Sequence, residues 1–132
     1  MSKKILIIDD EKDFCVLLKK NIELSGDYKV ITATGNNLSL WMSKCRYHKP
    51  QVILLDISMP CMDGFQILRM LKKDSITANI PVVILTARSD VHSEVRAEGL
   101  HCDGYFIKPV EVSNLLAKIE EILAKYEADQ IV

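Results

Sequence analysis

The chain lacks the features that mark membrane, secreted and nucleic-acid-binding proteins. Its 132 residues contain no apolar stretch near the roughly 20 residues of a membrane span. The apolar run that follows Met1-Ser2-Lys3-Lys4 is too short for a signal peptide. Lysine and arginine together number 17 against 18 acidic residues, so no excess of positive charge is available to bind nucleic acid or an anionic membrane. We therefore expect a cytoplasmic protein that binds neither.

Two common kinds of cofactor site are also missing. No Gly-x-Gly-x-x-Gly motif follows the first apolar run, which argues against a dinucleotide or flavin protein. The cysteines lack the Cys-x-x-Cys spacing of a zinc or redox site; they are Cys15, Cys45, Cys61 and Cys102. We interpret them as small apolar side chains in a reducing compartment.

Apolar runs typical of buried strands alternate with helical patterns along the chain. The predicted strands are Ile5–Ile8, Tyr28–Ala33, Val52–Leu55, Val82–Leu85 and Tyr105–Ile107. This alternation favours βαβ crossovers, and hence an α/β fold with a parallel sheet and helices on both faces. No repeat, low-complexity tract or linker interrupts the pattern. We expect one domain over residues 1–127 and a short C-terminal tail over 128–132.

The first two helical patterns make specific predictions about the core. Phe14, Leu17, Leu18 and Ile22 recur at helical spacing, and Gly26 is placed to end that helix in a left-handed conformation. In the second helix Trp41 lies on the apolar stripe, so we assign it to the core rather than to a binding site.

The later helical patterns differ in strength. The third helix follows Asp63-Gly64. The fifth, predicted from about Glu111 to Tyr126, has the clearest apolar stripe. The fourth, from Ser89 to Leu100, has few apolar anchors. We expect this fourth helix to be weakly packed, as the moving part of a switch would be.

Polar and charged side chains follow four of the predicted strands. Asp9 and Asp10 follow the first strand, Asp56 the third, Thr86 the fourth and Lys108 the fifth. Because the carboxyl ends of parallel strands line one crevice, these side chains should converge there. Three carboxylates in a partly desolvated crevice repel one another unless a cation is present. Their oxygen atoms suit Mg²⁺, for which Mn²⁺ could substitute.

The same residues suit a phosphoryl group. A metal ion, Lys108 and the Thr86 hydroxyl could together hold its charged oxygens. Carboxylates act as nucleophiles that form aspartyl phosphates, and Asp56 is the candidate acceptor. Any one of these residues alone could simply cap a helix, open a turn or end a strand in solvent. Their joint occurrence at the strand ends favours a phosphoryl-transfer site.

In order and spacing, the motifs resemble those of the receiver domain of bacterial two-component response regulators, the CheY-like family. The matching segments are Ile5-Leu6-Ile7-Ile8-Asp9-Asp10-Glu11, Leu54-Leu55-Asp56-Ile57-Ser58-Met59-Pro60-Cys61-Met62-Asp63-Gly64, Leu85-Thr86-Ala87 and Tyr105-Phe106-Ile107-Lys108-Pro109. The resemblance covers nearly the whole chain. It implies a flavodoxin-like (βα)5 three-layer sandwich with strand order 2-1-3-4-5.

The resemblance also implies which proteins donate the phosphoryl group and which residues bind Mg²⁺. Asp56 would accept it from a sensor histidine kinase or a histidine phosphotransfer protein, and the chain would catalyse only its own phosphorylation and dephosphorylation. Asp10, Asp56 and the backbone carbonyl of Ser58 would bind Mg²⁺. Asp9 would act mostly through coordinated water.

The response to phosphorylation is implied in the same way. Lys108 would contact the phosphoryl oxygens, Thr86 would move toward them, and Tyr105 would change rotamer with Thr86. The Lys108–Pro109 bond would be cis. The face made by the fourth helix, fifth strand and fifth helix would then control a downstream protein or a fused effector domain. The domain would be a monomer or a phosphorylation-dependent dimer.

Two other functions remain to be separated from this one. A phosphohydrolase would use Asp56 as nucleophile, but such enzymes generally want a second acid two residues later, where this chain has Ser58. A pseudo-receiver would act only as a binding module, and such modules typically lose part of the acidic or lysine set. This chain retains that set.

Several positions depart from the family pattern or lie beside it. Where many receivers have a small-Gly-small run, this chain has Leu100-His101-Cys102 with the glycine at Gly99, which leaves the end of the fourth helix open. Ser58 and Arg88 flank the site at positions where the family tunes phosphoryl lifetime. Our hypothesis is that Arg88 screens the acyl phosphate from water.

The remaining candidates for chemistry are weaker. Cys61 lies in the loop beside the acceptor, where packing is favoured over redox modulation because nothing nearby in sequence would lower its pKa. The histidines His48, His92 and His101 share neither a face nor metal-binding spacing, which favours surface positions.

Overall fold

The computed structural model describes residues 2–59, 63–87, 99 and 102–131. Its strands are β1 (Lys3–Ile8), β2 (Tyr28–Ala33), β3 (Val52–Asp56), β4 (Val82–Thr86) and β5 (Gly104–Ile107). Its helices are α1 (Lys12–Ser25), α2 (Leu38–His48), α3 (Gly64–Lys73) and α4 (Val112–Ile131). The fourth helix predicted from the sequence falls, apart from Gly99, outside the described residues. The label α4 therefore denotes the C-terminal helix.

The five strands form one parallel sheet in the order β2-β1-β3-β4-β5. This order and the flavodoxin-like class are as predicted. The register places Ile8 beside both Ala33 and Leu55, and Thr86 beside Ile107. The strands consequently end along one edge, and the residues that follow them are brought to the same side of the molecule.

The core consists of two apolar clusters, one on each face of the sheet. Because successive strand residues point to opposite faces, Leu6 and Ile8 pack in the cluster that holds α2 and α3. Ile5 and Ile7 pack in the cluster that holds α1 and α4. Trp41 is fully buried, as predicted, and its indole N–H donates to the Thr34 carbonyl at 2.9 Å. Within the described part of the chain, no helix has the length and apolarity to cross a membrane.

The first helix differs from its prediction in two respects. Leu17 is 60 % exposed, and the buried stripe is instead Cys15, Leu18 and Ile22. Gly26 does end the helix, but its φ of 176° is extended rather than left-handed. The left-handed cap belongs to Lys49, φ 46°, at the end of α2.

The C-terminal helix is longer than predicted, because it continues through Ile131 instead of ending near Tyr126. The added segment is polar but contains neither glycine nor proline, and its alanine and glutamate residues favour helix. Residues 128–131 therefore extend the last helix.

Candidate functional site

The carboxyl edge of the sheet gathers the acidic residues predicted from the sequence. Asp56 is the last residue of β3, and Asp9 and Asp10 directly follow β1. One carboxylate oxygen from each, with one from Glu11, lies within 4.8 Å of all the others. The structure thus brings together Asp9, Asp10 and Asp56, and it adds a fourth carboxylate.

Lys108 lies among these carboxylates. Its Nζ donates to Asp9 Oδ2 at 2.7 Å and lies 3.4 Å from Glu11 Oε1 and 3.5 Å from Asp56 Oδ2. Its backbone N–H donates to the Thr86 carbonyl at 2.7 Å, which fixes the lysine to the end of β4. The Lys108–Pro109 bond is cis.

The two carboxylate oxygens of Asp56 have different neighbours. Oδ1 accepts from both the backbone N–H and the hydroxyl of Ser58, each at 2.8 Å, whereas Oδ2 faces Lys108. The Ser58 hydroxyl oxygen in turn accepts from the Thr86 hydroxyl at 3.1 Å and from the Ala87 N–H at 3.4 Å. The loop after β3 therefore fixes the orientation of a carboxylate that is only 2 % exposed.

Burial and crowding change the acidity of this site. Asp9 is 1 % exposed; its burial, with the nearby charge of Asp56, raises its pKa to about 6 even though Lys108 acts to lower it. For Lys108, burial alone would lower the pKa, but the hydrogen bond to Asp9 and the charges of Asp56 and Glu11 raise it overall. Negative charge is in excess here, and a bound cation would relieve it.

The donor set fits a hard divalent ion. All four clustered residues offer carboxylate oxygens, which Mg²⁺ and Mn²⁺ prefer over nitrogen or sulfur. The thiol of Cys15, which lies behind the site and donates to the Asp9 carbonyl at 3.7 Å, is not a competing ligand, because burial raises its pKa to about 12. This agrees with the assignment of Cys15 to the core.

Two neighbours of Lys108 were not predicted from the sequence. Glu11 belongs to the carboxylate cluster, although it is 64 % exposed on its side chain. Its position directly after the acidic pair was the available signal. The ring of Phe14 lies under the ammonium group, 4.0 Å from Nζ to the ring centroid. Helical spacing had assigned Phe14 to the core alone.

The other sequence assignments lie at the edge of the site or outside the described residues. Thr86 is fully buried, and Tyr105 is half-buried against the cluster that holds α2 and α3. His48 packs edge-on against Tyr47, and partial burial with nearby lysines lowers its pKa. The assignments for Arg88, Cys61, His92 and His101 fall outside the described part of the chain.

Comparison with known proteins agrees with this geometry. Residues 5–120 match the family model of the response regulator receiver domain. The alkaline phosphatase synthesis transcriptional regulatory protein PhoP of Bacillus subtilis (strain 168) is 35% identical over 127 residues, which is 96% of this chain and 51% of that protein. The response regulator Rre1 of Synechocystis sp. is 33% identical over 94% of this chain and 53% of its own length. The chain spans about half the length of these relatives.

Solved structures show the same architecture. The CheY-like response regulator receiver domain protein from Methanospirillum hungatei JF-1 superimposes with a TM-score of 0.86 at 27% identity, covering 98% of this chain and 99% of that chain. The family match extends over most of the sequence, and it includes the strand ends that supply Asp9, Asp56 and Lys108. The chain belongs to the family of response regulator receiver domains of two-component signalling systems.

Proposed function

We propose that Asp56 is the phosphoryl acceptor of this receiver domain, in a reaction that requires Mg²⁺. The observation that carries the proposal is the orientation of Asp56. Ser58 holds Oδ1 through two hydrogen bonds, while Oδ2 points toward the Lys108 ammonium group. A nucleophile held in this way, with a positive charge beside it, is prepared to attack phosphorus.

The donor would be a phosphohistidine on a sensor histidine kinase or a histidine phosphotransfer protein. A carboxylate oxygen of Asp56 forms the new P–O bond as the P–N bond of the donor breaks, and the departing imidazole nitrogen takes a proton from solvent. Lys108 then exchanges part of its contact with Asp9 for the phosphoryl oxygens. Its charge stabilises the negative charge that they carry during transfer.

The carboxylate cluster would hold the metal. Asp10, Asp56 and the backbone carbonyl of Ser58 are the proposed ligands of Mg²⁺, and Asp9 acts mostly through coordinated water. When bound, the ion supplies positive charge to the transferring phosphoryl group. Because four carboxylates cluster here and Lys108 contacts only three of them among the described residues, the ion also offsets their mutual repulsion.

Thr86 and Tyr105 would change conformation in response to phosphorylation of Asp56. The Thr86 hydroxyl donates to Ser58, so it has to exchange that partner for a phosphoryl oxygen. We infer that Tyr105, half-buried on the neighbouring strand β5, changes rotamer as Thr86 moves. The face proposed to consist of the helix predicted for Ser89 to Leu100, strand β5 and the C-terminal helix α4 would then change its affinity for a downstream protein or a fused effector domain. The domain would act as a monomer or a phosphorylation-dependent dimer.

The geometry favours this switch over a phosphohydrolase. The position where such an enzyme would carry a second acid is occupied by Ser58, whose hydroxyl donates to Asp56 and accepts from Thr86. A hydroxyl so engaged is a poor proton donor for a leaving alcohol. A single phosphorylation event per chain, rather than sustained turnover, is the expected behaviour.

The test is phosphorylation by a small donor. With acetyl phosphate and Mg²⁺, intact-protein mass spectrometry should show the gain of one phosphate, which EDTA prevents and hydroxylamine removes. Asp56→Ala should abolish the gain, whereas Asp27→Ala, an exposed aspartate at the opposite end of the sheet, should retain it. An unchanged mass gain in Asp56→Ala would contradict the assignment.

A further inference from the structure

The Lys108 ammonium group has an asymmetric environment. Asp9, Glu11 and Asp56 offer it oxygen atoms, and the Phe14 ring presents its face, with the centroid 4.0 Å from Nζ. That distance is well within the roughly 6 Å at which a cation is attracted by the negative face of an aromatic ring. The lysine therefore has an aromatic contact as well as acidic ones.

The structure fixes both partners of this contact. Phe14 lies in the first turn of α1, where it packs, like Val110 and Val112, against the cluster that holds α1 and α4. Lys108 is fixed through its backbone to the end of β4, and its side chain is only 11 % exposed. Limited access to water strengthens a cation–π interaction relative to an exposed one.

We propose that Phe14 is a positioning residue for Lys108, a role that rests on the proposed phosphorylation of Asp56. The ring attracts the ammonium group without accepting a conventional hydrogen bond from it. All three N–H donors of the lysine consequently remain free for carboxylate or phosphoryl oxygens. A polar group in the place of the ring would compete for those donors.

The contact also limits where the ammonium group can go. Asp9 is its nearest partner, at 2.7 Å, whereas Asp56 Oδ2 is 3.5 Å away. To contact a phosphoryl group on Asp56, the lysine has to give up part of the shorter contact. The ring keeps the ammonium group in the site during that exchange, because its attraction depends little on which oxygen the N–H groups face.

The decisive experiment varies the charge distribution of the ring at nearly constant size. Phenylalanine analogues with one, two and three ring fluorines, incorporated at position 14, weaken the negative face stepwise. Phe14→Leu removes the ring and keeps apolar bulk, and Phe14→Tyr keeps the aromatic face. The readout is the rate of phosphorylation by acetyl phosphate at saturating Mg²⁺, which involves no kinase and so excludes effects on kinase docking.

We expect Phe14→Leu to slow phosphorylation about threefold to tenfold. The fluorinated series should slow it in graded steps, and Phe14→Tyr should remain close to wild type. A rate that falls in Phe14→Leu but stays constant along the fluorinated series would show that the ring only packs, and would overturn the proposal. An unchanged rate in Phe14→Leu would overturn it as well.

A second measurement does not depend on phosphorylation. In the nuclear magnetic resonance spectrum, the Lys108 ε-methylene protons should be shifted upfield by the ring, and this shift should disappear in Phe14→Leu. If wild-type protein showed no phosphorylation, the proposed function would fail while this shift still tested the contact. Absence of the shift in wild type would overturn the positioning role by itself.

Discussion

The two ends of the sheet differ in how their charged side chains are arranged. At the carboxyl end, the oxygens of four acidic residues cluster within 4.8 Å of one another, and Lys108 contacts three of those residues. At the amino end, ion pairs between described residues tie neighbouring elements together. There Lys3 donates to Glu120 at 2.6 Å, which connects β1 to the C-terminal helix.

Asp103 is a second example of a paired charge at the amino end. Its Oδ2 accepts from the Val82 N–H at 2.9 Å, and its Oδ1 accepts from the Tyr126 hydroxyl at 3.1 Å. Lys72 lies 3.9 Å from Oδ2. This one carboxylate thereby joins β4, β5, α3 and the C-terminal helix, and its charge is compensated within the chain.

The comparison distinguishes charges that stabilise the native state from charges that prepare a site for a ligand. The ion pairs at the amino end stabilise the native state without any ligand. Excess negative charge at the carboxyl end costs free energy until a cation binds, as is usual where a site is prepared for a charged ligand. Substitutions at the two ends should therefore have different effects on stability and on phosphorylation.

The largest expected effect concerns backbone packing beneath the site. A Cβ atom on Gly64 would overlap the Ile57 Cα and lie 2.9 Å from the Asp56 carbonyl oxygen, so Gly64→Ala must push α3 away from the acceptor strand. We expect a loss of about 3 kcal/mol of unfolding free energy, measured by urea denaturation. Phosphorylation of Asp56 should also slow.

Gly104 at the amino end of β5 provides the matched control. A Cβ atom there would meet Val83 Cγ1 at 3.4 Å, close to an ordinary contact, and alanine has a lower conformational entropy cost in a strand. Gly104→Ala should change the unfolding free energy by less than about 1 kcal/mol. Equal costs at the two glycines would contradict the close packing inferred for Gly64.

The next effect concerns the paired charges. Asp103→Ala leaves the Val82 N–H and the Tyr126 hydroxyl without their acceptor and removes the acidic neighbour of Lys72. Loss of such a partly buried network should cost about 2 kcal/mol of unfolding free energy, measured as a lower urea midpoint. Glu121→Ala, which removes an exposed i,i+3 pair with Lys118, should cost less than about 0.5 kcal/mol. Similar losses in both variants would show that Asp103 is no more than a surface charge.

Much of this arrangement could be predicted from the sequence, because it follows from strand periodicity and topology. Once the apolar runs are taken as parallel strands, Asp9 and Asp56 must emerge at one edge, and the structure has them there. Trp41 could be assigned to the core for a similar reason, because its helical spacing places it on a buried stripe. These predictions need only the direction in which each residue points.

Other features depend on details that periodicity does not contain. Leu17 and Leu18 are adjacent apolar residues, but the structure buries Leu18 in the cluster that holds α1 and α4 and leaves Leu17 exposed. The cap at Lys49 requires a non-glycine residue in the left-handed region, which is uncommon. The contact between Phe14 and Lys108 joins residues far apart in sequence and depends on both side-chain conformations.

The smallest effect, and the most direct test of the contrast, is the response to pH without metal. Burial raises the pKa of Asp9 to about 6 from an ordinary value of 3.8, so the folded state binds a proton more tightly than the unfolded state. The stabilisation of the folded state by this proton on Asp9 is fully present below pH 3.8 and is lost as the pH rises through about 6. In EDTA, lowering the pH from about 7 to about 5 should stabilise wild type by about 1 kcal/mol relative to Asp9→Asn.

The contribution of Glu120 to stability should change with pH in the opposite direction. Its hydrogen bonds from Lys3 and Tyr28 hold the pKa of its carboxyl below the ordinary value of 4.5, so its contribution is present above that pH and is lost as the pH falls. Urea midpoints of wild type relative to Glu120→Gln should therefore decrease on acidification, by a small amount because the side chain is 47 % exposed. If acidification changed the relative stability of wild type in the same direction in both comparisons, with Asp9→Asn and with Glu120→Gln, the charge of Asp9 would be balanced by its neighbours as fully as that of Glu120. The contrast between the two ends of the sheet would then fail.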